Sequence, residues 1–314
     1  MGGEWSKHIG DTGEATVGRL LELIGWKPLL KNYDVPCALP DKHGNDKTGR
    51  HRRDHGLDGS LMYRCPLFDG TQQHVIVSVK YADSRYPTEG KLGTKFGEHY
   101  RALSQMCVCY QKSAQFGELT ASDSDAERFP VFGALFWLTH NREDDAASIC
   151  PSLVSTRPDA EPHIPVYLID NSQAAFLYDA IALVQRNFGK QFAFNYQSTG
   201  KNLDSRNRRH HGDILPIHLI NGPQIVFRVE DAGRLLVICS KNEFSESDFK
   251  RLCDLAQYLT LAWAHKVIIA FRTYDAMRDG HTVAKVMQMY SRNDGLKNVA
   301  VHSIEDDFRT KGPA

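Results

Sequence analysis

The sequence predicts an α/β chain, in the α+β sense of a mixed sheet flanked by helices, followed by a second α/β domain. Three observations lead there. Short Val/Ile/Phe-rich runs alternate with amphipathic helical stretches, the pattern of helices layered on a sheet. Two of those runs, SLMYRCPL and HVIVSVKY, are joined by FDGTQQ with its Asp69-Gly70 pair, which is a hairpin signal. And 314 residues suffice for one large domain or two ordinary ones. The expected boundary lies near residue 160, giving domains over 1–160 and 161–314.

Taken in order, residues 11–25 (DTGEATVGRLLELIG) put Val17, Leu20, Leu21 and Ile24 on one helical face, with Gly25 as a stop. Glu14 lies three residues before Val17 and seven before Leu21, so it points along the apolar stripe. Residues 37–57 are polar and rich in Gly, His, Lys and Arg, and read as a loop. After the hairpin comes a helix at about 95–115, with Phe96, Leu103, Cys107 and Tyr110 on one stripe. FPVFGALFWL (129–138) reads as a buried strand, 142–149 as a short helix and IPVYLID (164–170) as a strand. The second half opens with a helix over 172–188. Strands are expected at 192–196, 215–220, 224–230 and 234–241. A helix capped by Ser245 or Ser247 then runs to about 263, with Phe249, Leu252, Ala256, Leu259 and Trp263 inward. A strand (HKVIIAF), a helix (DAMRDGHTVAKVMQMY) and a last strand (NVAVHSI) complete the chain. Both halves order a helix, a basic loop, strands ending in a lysine (Lys80, Lys241), a helix and a buried strand. A degenerate copy of the first domain is one reading of the second; an unrelated α/β domain is the other.

Lys+Arg and Asp+Glu both total 38, so any nucleic-acid surface must be a local basic patch. No apolar run approaches the length of a membrane span, and the start of the chain lacks the apolar core of a secretory signal. Met-Gly with Ser6 matches a myristoylation pattern too short to carry weight. Seven scattered Cys, an odd count, fit reduced thiols in a cytosol. Cys107 and Cys109 stand too close on a helix for a zinc pair of normal spacing. STGK (198–201) lacks the leading glycine of a P-loop.

The chemistry concentrates around HVIVSVKY. Successive strand residues alternate faces, so Val75, Val77 and Val79 point one way and His74, Ile76, Ser78 and Lys80 the other. Asp58, in HGLDGS, precedes the partner strand, so the hairpin brings it to the end of the sheet where Lys80 lies. Glu14 projects from a helix that must cover this sheet. Carboxylate oxygens hold hard cations such as Mg²⁺ or Mn²⁺. Such an ion acts as Lewis acid and activates water, while a neighbouring lysine stabilises developing charge. Taken singly, each residue has a plainer reading: Glu14 as a first-turn acid, Asp58 as a turn residue, Lys80 as a cation reaching from a strand end to water.

The order Glu14, Asp58, x-x-Lys80 and then a helix, over roughly residues 8–140, resembles the restriction-endonuclease-like PD-(D/E)XK nuclease superfamily. GDTGEATVGRLLELIGW, DHGLDGS and HVIVSVKY look most like its Mrr-like branch. More narrowly, MGGEWSKHIGDTGE, HGLDGSLMYRCPL and HVIVSVKY resemble the nuclease-like subunit of a two-gene antiphage defence system of the GAPS group, type four. The resemblance implies a restriction-endonuclease-like core, DNA as substrate, a bacterial cytoplasmic location, and a hetero-oligomer with a second subunit encoded alongside. It makes Glu14 and Asp58 metal ligands, with the Val79 carbonyl, and Lys80 the catalytic lysine. Gln105 matches a position where related nucleases carry a water-positioning Gln. The departure is Ser78, where the family has Asp or Glu. Either Ser78 and Val79 complete the site, or another acid (Asp83, Glu98) has migrated in, or the domain is a silent DNA-binding subunit.

Two basic stretches are candidates for phosphate contact. DKHGNDKTGRHRRDH (41–55) offers Lys47, Arg50, Arg52 and Arg53 and leads into Asp58. KNLDSRNRRHH (201–211) offers Arg206, Arg208 and Arg209. Solvated loops are the plainer reading of both. His55, three residues before Asp58, is a further candidate to assist.

Overall fold

The structure, a computed structural model, describes residues 2–27, 29–30, 33–44, 51–141, 144, 148–158, 164–204, 209–230, 233–260 and 263–304, with side chains from Asp11 onward. The chain divides into two compact units, Met1–Ala175 with Lys201–Arg206, and Phe176–Gly200 with Asn207–Ala314.

In the first unit, helix α1 (Gly2–Leu23) begins well before the apolar stripe that predicts it. It buries Val17, Leu20, Leu21 and Ile24. Its end is a Schellman stop: Trp26 N–H donates to the Leu21 carbonyl (2.8 Å), Gly25 N–H to that of Glu22 (3.2 Å), and Gly25 takes φ 78°. Strand β1 (Tyr33–Pro36) pairs antiparallel with β2 (Asp54–Leu57), and the short helix α2 (Pro40–His43) lies between them. The expected loop over 37–57 therefore ends in half of a hairpin. Only Val35, His55 and Leu57 of its two strands are buried, too few for a period-two signal.

Strands β3 (Gly59–Arg64) and β4 (Gln72–Ala82) form the expected hairpin. Helix α3 (Glu89–Gln111) and helix α4 (Ala114–Ala121) replace the single helix expected at 95–115. Ser113 divides them by accepting the Phe116 N–H at 3.2 Å as the α4 cap. Strand β5 (Val131–Thr139), helix α5 (Cys150–Leu153) and strand β6 (Val166–Ile169) follow. Residues 142–143 and 145–147, most of the short helix expected at 142–149, lie outside the described residues. The sheet order is β3-β4-β5-β6, antiparallel at the hairpin and parallel after it. The helix α3 supplies the crossover that a parallel pair requires.

Residues 72–78 of β4 are all buried. The alternate residues that point away from Val75 and Val77 are thus covered as well. Ile76 packs with Leu103, Cys107 and Leu135 beneath α3, and His74 meets the Phe116 ring of α4. A strand covered on both faces reads as a continuous apolar run.

The second unit holds most of α6 (Asn171–Phe188), then β7 (Ala193–Asn195), β8 (His211–Gly212), β9 (Gln224–Val229), β10 (Leu235–Ser240), α7 (Glu246–Thr260), β11 (Lys266–Phe271), α8 (Ala276–Met289) and β12 (Val299–Ser303). Their sheet order is β12-β11-β10-β9-β7-β8. Ser245 is the α7 cap, accepting from Asp248 N–H at 3.1 Å. LPIHLI is not a strand. Ile217–Leu219 forms a 3-10 turn, with Leu219 N–H bonded back to the Pro216 carbonyl at 2.8 Å. Leu215, Ile217 and Ile220 are buried all the same, so the run mimics a core strand in composition.

Candidate active site

The site forms where β4 outruns its hairpin partner. The β3–β4 ladder ends with Gly59 opposite Val77, while β4 continues beside β5 as far as Ala82 opposite Thr139. Val79 at this fork has lost a main-chain acceptor on the β3 side. Asp58 supplies one: its Oδ2 accepts the Val79 N–H at 2.7 Å. The carboxylate is thus fixed against the strand that carries Ser78 and Lys80.

Helix α1 reaches the same strand end from the other direction. A Cβ on Gly13 would sit 2.3 Å from Tyr81 Cβ, so helix and strand approach as closely as only glycine permits. Glu14, the next residue, is exposed rather than turned into the apolar stripe. It lines a cavity of about 410 Å³ together with Val79, Lys80, Arg85, Lys95 and His99. The turn after β4 is held firmly. Tyr86 Oη donates to the Trp137 carbonyl (2.7 Å) and accepts from Asn171 N–H (3.0 Å), and Asp144 accepts the Tyr86 N–H at 3.0 Å. Arg85 Nε lies 3.8 Å from Asp144.

The cavity is cationic. Burial pushes the His99 ring down to about 4, and the positive charges of Lys80 and Lys95 push the same way. At neutral pH the ring is uncharged and stands edge-on to Trp137, centroids 5.1 Å apart. Lys80, Arg85 and Lys95 bring positive charge to the lining beside the Glu14 carboxylate, with Lys95 also paired to Glu98 and Arg85 near Asp144.

The residues expected from the sequence sort as follows. Glu14, Val79 and Lys80 share the cavity, and Asp58 joins them through the Val79 amide. Ser78 is buried, at 4% exposure, one residue from the cavity lining. Gln105 is half-buried and does not line the cavity. It lies six residues after His99, about 240° further round the helix. The helix α3 offers Lys95 and His99 instead, a spacing of i and i+4 that was legible in the sequence. Of the alternative acids, Asp83 is exposed and Glu98 is bonded to Lys95 at 2.7 Å; neither lines the cavity. Arg53 and Arg209 are exposed, and Lys47, Arg50, Arg206 and Arg208 lie outside the described residues. Arg52 is turned inward, 3.4 Å from His55 Nδ1. His55 is buried, and burial, then Arg52, then His43 push it down to about 4.

The carboxylates of Glu14 and Asp58 and the carbonyl of Val79 are hard oxygen donors, and in kind they fit Mg²⁺ or Mn²⁺. Among the described residues, three or more His, Cys or carboxylate ligands converge only at Cys37, His43, His55 and Cys109, a group of different chemistry.

No curated protein matches the chain, and no solved structure does. The family described as GAPS4 protein PD-(D/E)XK nuclease domain matches residues 1–173. That span exceeds half of the 314 residues and contains Glu14, Asp58, Val79 and Lys80. A helix, an antiparallel hairpin, a crossover helix and a parallel strand form the restriction-endonuclease-like core that such a domain requires. The chain therefore belongs to the family of GAPS4 proteins with a PD-(D/E)XK nuclease domain.

Proposed function

We propose that the chain is a divalent-metal-dependent DNA nuclease, the hydrolytic subunit of a bacterial antiphage defence complex that works in the cytoplasm with a second subunit. The observation that carries this reading is one cavity lined by Glu14, Val79 and Lys80, with Asp58 bonded to the Val79 amide. Glu14, Asp58 and the Val79 carbonyl would hold Mg²⁺ or Mn²⁺. When bound, that ion supplies Lewis acidity and a more acidic water. The Lys80 ammonium donates hydrogen bonds to the phosphate oxygens as charge grows on them, and Lys95 and Arg85 hold the flanking phosphates. Ser78 contributes a neutral hydroxyl beside the ligands. His99, uncharged, leaves Lys80 free to carry the local positive charge.

The second unit supports an auxiliary role as a degenerate nuclease fold. Its β9-β10-β11-β12 segment repeats the antiparallel, parallel, parallel pattern of β3-β4-β5-β6. With Lys241 matched to Lys80, the place of Ser78 is Cys239 and that of Asp58 is Ile225, both buried and neither a carboxylate. This half is suited to binding DNA or the partner subunit.

A second reading is a silent DNA-binding subunit. Position 78 favours it, since a hydroxyl replaces a carboxylate ligand. The protein, with and without its partner, is incubated with linear and circular DNA and Mg²⁺ or Mn²⁺. Lys80→Ala and Asp58→Ala should each lower cleavage by about 10²-fold or more. Cleavage that survives both substitutions sinks the site assignment, and no cleavage under any combination favours the silent reading.

A further inference from the structure

Within the first unit, away from the cavity, four side chains meet that the hydrolytic site does not use. Cys37 follows β1, His43 ends α2, His55 lies in β2, and Cys109 is in the last turn of α3. His43 Nδ1 is 3.4 Å from Cys37 Sγ, 3.4 Å from Cys109 Sγ and 3.3 Å from His55 Nε2. The two sulfurs are 4.0 Å apart, and the four ligand atoms lie within 4.8 Å of one another.

One ring nitrogen offers either one hydrogen or one lone pair, so it cannot satisfy three close neighbours by hydrogen bonding. A cation at their centre satisfies all of them. Tetrahedral zinc, with Zn–S of about 2.3 Å and Zn–N of about 2.0–2.1 Å, separates its ligands by roughly 3.8 Å for S···S, 3.5 Å for S···N and 3.3 Å for N···N. The observed distances follow that set. A disulfide needs the sulfurs at about 2.05 Å, which 4.0 Å excludes as the structure stands. The surroundings also fit: the Ala38 N–H points at Cys109 Sγ from 3.3 Å, an N–H···S contact that favours the thiolate. His55 and Cys109 are 2% and 0% exposed and Cys37 and His43 half-buried, so protein covers one side of the place.

We infer that Cys37, His43, His55 and Cys109 form a structural zinc site. Two thiolates and two neutral imidazoles balance the charge of Zn²⁺ and fill four positions, leaving none for a substrate. The site fastens β1, β2 and the short helix α2 to the C-terminal end of α3.

The test uses the full-length chain produced in zinc-supplemented medium, with metal content read by plasma mass spectrometry. The wild type should hold about one zinc per chain. Cys37→Ser and Cys109→Ser should lose most of it, and Cys107→Ser should keep it. Exchange into Co²⁺ should give the visible absorption of a tetrahedral, thiolate-ligated ion, a readout that stands even where a serine variant fails to fold. Lys80→Ala should retain its zinc, which separates this site from the hydrolytic one. Wild-type protein without zinc and without the tetrahedral Co²⁺ spectrum overturns the assignment, as does full zinc content in both serine variants or a Cys37–Cys109 disulfide in the purified protein.

Discussion

Lys80 stands where β4 has left β3 behind and runs beside β5 alone, and there it lines the cavity. Ser78, two residues earlier and buried, is the neutral member of the site. A carboxylate there would be a buried negative charge close to the half-buried Asp58, costly until a cation arrives. His74 illustrates a different use of burial. Its Nε2 donates to Gln72 Oε1 at 3.1 Å, and its Nδ1 accepts from Tyr110 Oη at 3.0 Å, a pairing available only to the neutral ring. Burial pushes it from 6.5 down to about 4. Between those values the unfolded chain binds the extra proton. Stability is therefore full above about pH 6.5 and falls as pH drops towards 4, by on the order of 3 kcal/mol from this residue. Urea unfolding at pH 7.5 and 4.5 should find a smaller loss in His74→Gln than in wild type, and equal losses would refute the account. The approach of Asp58 to the end of β4 was legible because hairpin geometry acts over short distances, whereas Glu14 lines the cavity from an exposed helix position that the apolar stripe did not indicate. The Cys/His group was not: Cys109 comes from a helix far along the chain, and Cys37, His43 and His55 match no compact ligand spacing.

At the level of elements, the approach of α1 to β4 positions the site. Gly13→Ala forces a Cβ onto Tyr81, and the helix must move or strain. It should lower stability by about 1–3 kcal/mol and draw Glu14 from the cavity. Gly97→Ala in α3 meets nothing within 4 Å and should raise stability by up to about 1 kcal/mol. Thermal unfolding of the pair checks both signs, and a neutral Gly13→Ala would mean that α1 and β4 do not approach so closely. The hairpin, α3, β5 and the helices and strands after residue 220 were legible because long apolar runs and helical stripes dominate their local energetics. The β1–β2 pair escaped notice because four-residue strands carry too little pattern. LPIHLI misled because burial, not pairing, is what an apolar run reports.

For the whole molecule, equal numbers of acidic and basic residues mean that any attraction to DNA has to come from particular places. Arg53 and Arg209 are exposed, whereas Arg52 is turned inward beside His55. If the first two touch phosphates, replacing each by Ala should reduce the slope of log K against log salt by about 0.9. Arg52→Ala should change it less. Binding titrations at several salt concentrations measure this, and slopes unchanged by Arg53→Ala and Arg209→Ala would mean that neither loop meets the backbone.

The helix α3 has its glycines at 90, 93 and 97, all before His99, and neither glycine nor proline from there to Cys109. Those last turns form an unbroken rod of about 15 Å. One end abuts the cavity and the other the Cys/His cluster beside the β1–β2 pair. A strand of DNA engaged at both ends would be gauged against that rod, so the spacing between grip and cut would be a property of the protein, a ruler without a joint.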